Sequence, residues 1–164
     1  DMIGGGEYTC FLNGNENACT PEMFVRYAQI AALMPVMQFS ASPWRVLPEA
    51  DFQKVKDALA LREKCLPEIL KAVENAKATG EPIARSMEFV FPGQGMERVM
   101  DQFMVGDALL VAPVWKQGEV VRSVTLPEGQ WRCVGLGETE GDVLNGGQDV
   151  VLGENEGLVV LRRE

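Results

Sequence analysis

Apolar residues follow two different rhythms along this chain. Between residues 20 and 79 they recur every three or four positions. After Pro82 they come in short, dense runs. The stretch "TPEMFVRYAQIAALMP" predicts a helix over residues 21–34, with Phe24, Ala28, Ala31 and Ala32 on one face. Thr20 suits the N-cap, Pro21 the first helical position and Glu22 the positive helix start, and Pro35 ends the run. "VMQFS" follows as a short strand that stops at "ASPW". A second, longer helix is predicted from Glu49 to Thr79. Its apolar stripe would hold Phe52, Val55, Leu59, Leu66, Ile69, Leu70 and Val73. Pro67 removes one backbone hydrogen bond and is expected to kink or split that helix. Gly80 is placed to cap its end.

The second half reads as all-β. "IARSMEFVFP", "DQFMVG", "ALLVAPVW", "VVRSVTLP", "QWRCV", "QDVVLG" and "GLVVLRR" are β-rich runs separated by Gly, Pro and acidic turns. That spacing predicts an antiparallel sandwich or sheet. Residues 7–19, rich in Gly, Asn and Glu, read as a loop. No internal repeat and no low-complexity tract interrupts the pattern.

Composition narrows the field of partners. A length of 164 residues suits one medium domain or two small ones, and 46% apolar content is enough for a real core. With 24 acidic against 15 basic residues the net charge is −9, which would repel a phosphate backbone and argues against nucleic acid. No apolar run is long enough to span a bilayer. The four cysteines, Cys10, Cys19, Cys65 and Cys133, form no C-x-x-C pair, and the chain contains no histidine. Zinc sites and histidine-based triads are therefore disfavoured, and no cofactor is expected. Cys10 and Cys19 are close enough in sequence to bridge a short loop, although buried thiols are the simpler reading.

The opening "DMIGGG" poses the sharpest local question. No G-K-[ST] follows its glycines, so a phosphate loop is a poor reading. A tight turn or a close backbone approach fits better. Glu7, Glu16, Glu22, Asp51 and Glu63 are candidate carboxylates by type, but no spacing singles out an acid and a nucleophile. Trp44, Trp115 and Trp131 have rings suited to stacking on a sugar face. For Trp115 and Trp131 a place in a core or at a domain seam is the better reading. Residue chemistry taken alone names no function.

The order of the motifs carries more. "DMIGGG", "PEMFVRYAQIAALMPVMQFSASPW", "LREKCLPEILKAVENAKATGEPIARSMEFVFP", "DQFMVGDALLVAPV" and "VTLPEGQW" together resemble the C-terminal part of glycoside hydrolase family 31. That family includes α-glucosidases, α-xylosidases and some α-galactosidases. The resemblance covers nearly the whole chain, more loosely over residues 135–164. It implies an α/β plus all-β architecture: the last two strands and helices of a (β/α)8 barrel over residues 1–82, then an antiparallel β-sandwich-like domain over 83–164. "DMIGGG" would end the seventh barrel strand and "VMQFS" would be the eighth, at the strand ends where such barrels hold ligands.

The same resemblance makes Asp1 a substrate ligand rather than a catalyst, since a carboxylate there accepts hydrogen bonds from sugar hydroxyls. Many members carry a histidine at the end of the eighth strand, where this chain has "QFS". Gln38 and Ser40 are thus expected to take over hydrogen bonding, with Phe39 pointing elsewhere and Trp44 available for stacking. The departure points away from ordinary glucoside specificity, toward a branch with α-galactosidase-like members. Retaining glycosidases need two carboxylates about 5 Å apart. The family's pair lies on earlier strands, so this chain is expected to hold no catalytic residue and to be inactive alone. Its implied partners are an α-linked saccharide and the remainder of the same barrel. The competing reading is a non-catalytic carbohydrate-binding or interaction module.

Overall fold

A computed structural model describes residues 2–6, 19–119, 121–135, 139–152 and 158–164. Helix α1 spans Pro21–Ala32. Thr20 caps it, its side chain accepting from the Met23 N–H at 3.2 Å. Phe24, Val25, Ala28, Ala31 and Ala32 are buried. Its last turn has no basic residue of its own. Arg62 supplies the missing donors instead: Nη1 reaches the carbonyls of Ala32 at 2.7 Å and Met34 at 2.6 Å, and Nη2 that of Pro35 at 3.2 Å. A cation there satisfies carbonyls the helix leaves open and opposes its dipole.

After the short helix α2 (Pro43–Val46), helix α3 runs from Glu49 to Thr79. Pro67 does not split it. The proline sits on the exposed face, where the carbonyl it leaves unpaired faces water. Gly80 closes the helix in the left-handed region at φ 80°, donating to the Ala76 carbonyl at 2.9 Å. The buried stripe also differs from expectation. It is Val55, Ala58, Leu61, Cys65, Ile69 and Ala72, while Leu59, Leu66 and Leu70 face outward. Small residues at 58 and 72 let α1 and the sheet come close, so the smaller side chains are the buried ones.

The second half is antiparallel throughout. Its strands are β1 (Ala84–Ser86), β2 (Phe103–Val105), β3 (Leu109–Pro113), β4 (Arg122–Leu126), β5 (Gln130–Cys133), β6 (Val143–Asn145), β7 (Gln148–Leu152) and β8 (Leu158–Arg163). Six form one sheet in the order β1-β2-β3-β8-β5-β6, and β4 pairs with β7 in a second. "IARSMEFVFP" is only partly a strand. After Ser86 the chain turns into helix α4 (Met87–Val90), because the Ser86 hydroxyl accepts from the Phe89 N–H at 3.3 Å and caps it. β6 was not anticipated.

Strand alternation explains the layering. On β3, Leu109 and Val111 join Val105, Leu158 and Val160 against α1 and α3. Leu110 and Ala112 join Met104, Val159 and Leu161 on the other face, with Val124 and Leu126 from β4 and Trp131 from β5. Successive side chains of a strand point to opposite faces, so a central strand covered on both sides is apolar throughout. All five residues of β3 are buried. The molecule is thus helices, a six-stranded sheet and a two-stranded sheet, packed in that order.

Candidate functional site

The glycine-rich start and the segment after α1 meet edge to edge. Ile3 forms a parallel bridge with Phe39. Its N–H donates to the Gln38 carbonyl at 3.1 Å, and its own carbonyl accepts from the Ser40 N–H at 2.9 Å. Among the described residues the pairing is this single bridge, where "VMQFS" was expected to form a strand. The reason lies in a turn: the Gly5 N–H donates to the Met2 carbonyl at 2.8 Å, and Gly4 takes φ 70°. A positive φ at that place is the signature of a type II turn, which bends the chain out of register.

Gly4 is demanded by space as well as by φ. A Cβ there would lie 2.6 Å from Phe24 Cε2 and 2.9 Å from Ala41 Cβ. Beneath the turn the Phe24 and Phe39 rings stack with centroids 6.3 Å apart. Ile3, Phe24, Val25, Ala28 and Val55 complete the floor. Phe39 therefore points inward, as its position between two polar neighbours on an extended segment requires.

Gln38 and Ser40, two residues apart on the same face, reach the next turn of chain. The Met2 N–H lies 3.1 Å from Gln38 Oε1 and 3.1 Å from Ser40 Oγ. Ser40 Oγ in turn donates to Gln38 Oε1 at 3.2 Å. Both residues are exposed. Three polar groups thus close a small ring at the rim. Asp1, whose residue precedes Met2, lies outside the described residues, as do Glu7, Cys10 and Glu16. Trp44 stands on α2 with 67% of its surface open to solvent. The family resemblance had singled out Gln38 and Ser40 as candidates for hydrogen bonding, but not their bond to one another. The role of the Met2 amide was missed, since no local pattern signals a contact 36 residues away.

Other candidates have structural employment. Glu22 Oε1 accepts from the Gly118 N–H at 2.8 Å, and Arg26 Nη2 donates to the Glu119 carbonyl at 2.7 Å. These bonds tie α1 to the loop carrying Trp115, which is 57% exposed and so outside a core, and which borders Thr20, Met23 and Arg26 where the helical and β halves meet. Trp131 is fully buried, its Nε1 donating to the Pro127 carbonyl at 2.9 Å. Asp51 pairs with Lys54 at 2.8 Å, and Glu63 is exposed. Burial, with Glu68 nearby, pushes the Cys65 thiol up to about 11, so it is no nucleophile at neutral pH. Among the described residues no group of three or more Cys, Asp or Glu side chains is placed to hold a metal ion. No described helix is long and apolar enough to cross a membrane. A cleft of about 420 Å³ lies on the β half, bordered by Gln94, Met96, Thr125, Glu128, Gln148 and Asp149.

Comparison with known proteins gives this geometry a context. Residues 80–155 match the glycosyl hydrolase family 31 C-terminal domain. The chain is 38% identical over 135 residues to the myogenesis-regulating glycosidase of Mus musculus, a match covering 80% of this chain and 19% of that protein. It is 31% identical over 148 residues to an alpha-glucosidase of Saccharolobus solfataricus, covering 86% of this chain and 20% of that protein. Among solved structures, a family 31 alpha-xylosidase from a soil metagenome, complexed with xylose, superposes with a TM-score of 0.78 at 29% identity. That match covers 88% of this chain and 25% of the xylosidase. The chain spans about a fifth of the length of these curated relatives. It belongs to glycoside hydrolase family 31 and corresponds to the C-terminal portion of its members.

Proposed function

We propose that the chain is the C-terminal part of a retaining α-glycosidase acting on terminal α-linked sugars. In this reading residues 1–82 are the last part of a catalytic (β/α)8 barrel, and residues 83–164 are the β-domain packed behind it. The chain supplies part of the rim of the sugar pocket through Asp1, Gln38, Ser40 and Trp44. The catalytic carboxylate pair comes from elsewhere in the polypeptide. The observation that carries the reading is the parallel Ile3–Phe39 bridge with its rim of polar groups, found in a member of this family. Parallel neighbours joined by a helix are the unit from which such barrels are built, and ligands sit where their strands end.

The test is hydrolysis of aryl α-glucosides, α-xylosides and α-galactosides by the full-length protein and by this chain alone. Turnover is expected from the first and none from the second. Asp1→Asn in the full-length protein should lower kcat/KM, because a carboxylate accepts hydroxyl bonds more strongly than an amide does. Turnover by the isolated chain would remove the claim that the catalytic pair lies outside it.

A second reading, a non-catalytic sugar-binding module, draws on the cleft bordered by Glu128 and Asp149. Saturable oligosaccharide binding by a full-length protein without hydrolysis, abolished by Glu128→Gln with Asp149→Asn, would favour it.

A further inference from the structure

Helix α1 is apolar on two sides. Its buried side, with Phe24, Val25, Ala28, Ala31 and Ala32, packs on α3, on the sheet and under the Gly4 turn. The far side also repeats at helical spacing, through Met23, Tyr27 and Ile30, with Met34 in the turn that follows. Met23 and Tyr27 are 57% and 42% exposed, and Ile30 and Met34 are half-buried. No charge breaks this stripe. From Tyr27 to Trp44 every residue is uncharged, in a chain of which 24% is charged. The two charged side chains of α1, Glu22 and Arg26, are turned to the loop after β3, where they bond Gly118 and Glu119. A helix with no solvated face is a helix built to be covered. The outward leucines of α3 differ. Leu59, Leu66 and Leu70 stand among exposed Lys56, Glu63, Lys64 and Lys71, as on an ordinary solvated face.

We propose that the stripe of Met23, Tyr27, Ile30 and Met34 is a docking surface for one helix from the upstream part of the same polypeptide. This rests on the barrel reading and deepens it by naming the surface. The chain spans about a fifth of the length of its curated relatives and corresponds to their C-terminal portion, so most of the length of such a member lies ahead of α1. In a barrel each helix lies between the helix before it and the helix after it. α3 follows α1 and covers one flank. The parallel Ile3–Phe39 bridge sets the order of the units, and the helix for the other flank belongs to the unit before Ile3. At its first turn the stripe meets Trp115, and a cavity of about 110 Å³ bordered by Thr20, Met23, Arg26 and Trp115 leaves room for a side chain of the occupant. The chemistry of that occupant follows. Its contacting face is apolar and uncharged, since a charge set on this stripe would lose water and find no partner.

The experiment uses the full-length protein. Tyr27→Cys is treated with a maleimide, and labelling at that position is followed by mass spectrometry of its peptide, folded and in guanidinium. Labelling of the folded protein should be slower by on the order of a hundredfold or more, because the thiol is reached only when the covering helix opens. The protection should be the same at high and low protein concentration. A benzophenone amino acid in place of Met23 gives a second measurement that needs no buried cysteine. On irradiation it should crosslink within one molecule, to a residue upstream of position 1.

Labelling of Tyr27→Cys as fast in the folded as in the unfolded protein overturns the proposal. Protection that falls on dilution, or a crosslink to a second molecule, assigns the stripe to another copy and overturns it too. A crosslink only to residues of this chain does the same. The glycosidase reading fails separately. A protected stripe in a protein with no turnover on any α-glycoside removes that reading and leaves the docking surface standing, and a freely labelled stripe in an active enzyme does the reverse.

Discussion

The rim and the six-stranded sheet hold their shapes in opposite ways. β3 and β8 are joined along five residue pairs, from Leu109 with Arg162 to Pro113 with Leu158, and both faces of β3 are covered. Many equivalent backbone bonds share the work there, and apolar burial supplies the stability. At the rim, one bridged pair, one glycine and two exposed polar side chains set the geometry. A sheet built on redundancy tolerates the loss of any one hydrogen bond. A rim built on single contacts is specific in direction and sensitive to single changes. That is the division expected between a scaffold and a candidate site.

The largest expected effect lies in the scaffold. Trp131→Ala empties a fully buried position between the two sheets and leaves the Pro127 carbonyl without its donor. It should destabilise the protein by about 3–5 kcal/mol, read as a shift in denaturant midpoint. The comparable break at the rim is Gly4→Ala. The left-handed φ contributes about 1–2 kcal/mol and the crowding against Phe24 and Ala41 about 1–3 kcal/mol more. Gly147→Ala separates the two contributions, since it shares the positive φ, at 75°, but its Cβ would meet nothing within 4 Å. Equal losses from the two glycine substitutions would show that the rim is not sterically locked, and the contrast with the sheet would weaken.

What the sequence disclosed follows the same division. The ends of α1 and α3 were legible because caps are local: Thr20, Pro21 and Gly80 act on backbone groups within four residues. The buried face of α3 was not. Leu59, Leu66 and Leu70 are larger and more apolar than Ala58 and Ala72, yet they face outward. Which face is buried depends on how closely α1 and the sheet approach, and no property of the helix itself records that. α4 was hidden because "MEFV" is rich in strand formers, and one serine cap outweighs them over four residues. β6 has only three residues between polar turns, too few for a period to register. At the rim, Gln38 and Ser40 were singled out by the family resemblance alone, and the bond between them is visible only in the structure. Their common partner, the Met2 amide, is a long-range fact.

Arg62 tests the contrast from the middle of the scale. Its guanidinium donates to three consecutive-turn carbonyls at the end of α1, the helix that links the two halves of the rim. Arg62→Ala leaves part-buried acceptors unpaired and should cost about 1–3 kcal/mol. Arg62→Lys should recover only part of this, since an ammonium cannot reproduce the planar fork. Full recovery by lysine would mean that charge near the helix end, and not directed hydrogen bonding, is what matters.

The smallest expected effect comes from an ion pair that pins the β4 side of the sheet. Arg122 Nη1 lies 2.7 Å from Asp101 Oδ2, and Nη2 donates to the Asp101 carbonyl at 2.6 Å. The hydrogen bond from Arg122 holds the Asp101 carboxyl below its ordinary value, against the opposing effect of partial burial. A carboxyl that is more acidic when folded contributes stability above its unfolded pKa, and that stability is lost as pH falls through the folded value. Because the Asp101 side chain is 45% exposed, solvent screens the pair, and Asp101→Asn should lower stability by no more than about 1 kcal/mol at neutral pH. The gap between wild type and variant should shrink as the pH is taken down through the carboxylate range, and narrow in high salt. A gap that stayed constant from pH 7 down into the acid range would assign the loss to the backbone bond between Arg122 and the Asp101 carbonyl. It would also place this corner of the sheet with the rim, held by one directed contact rather than by many shared ones.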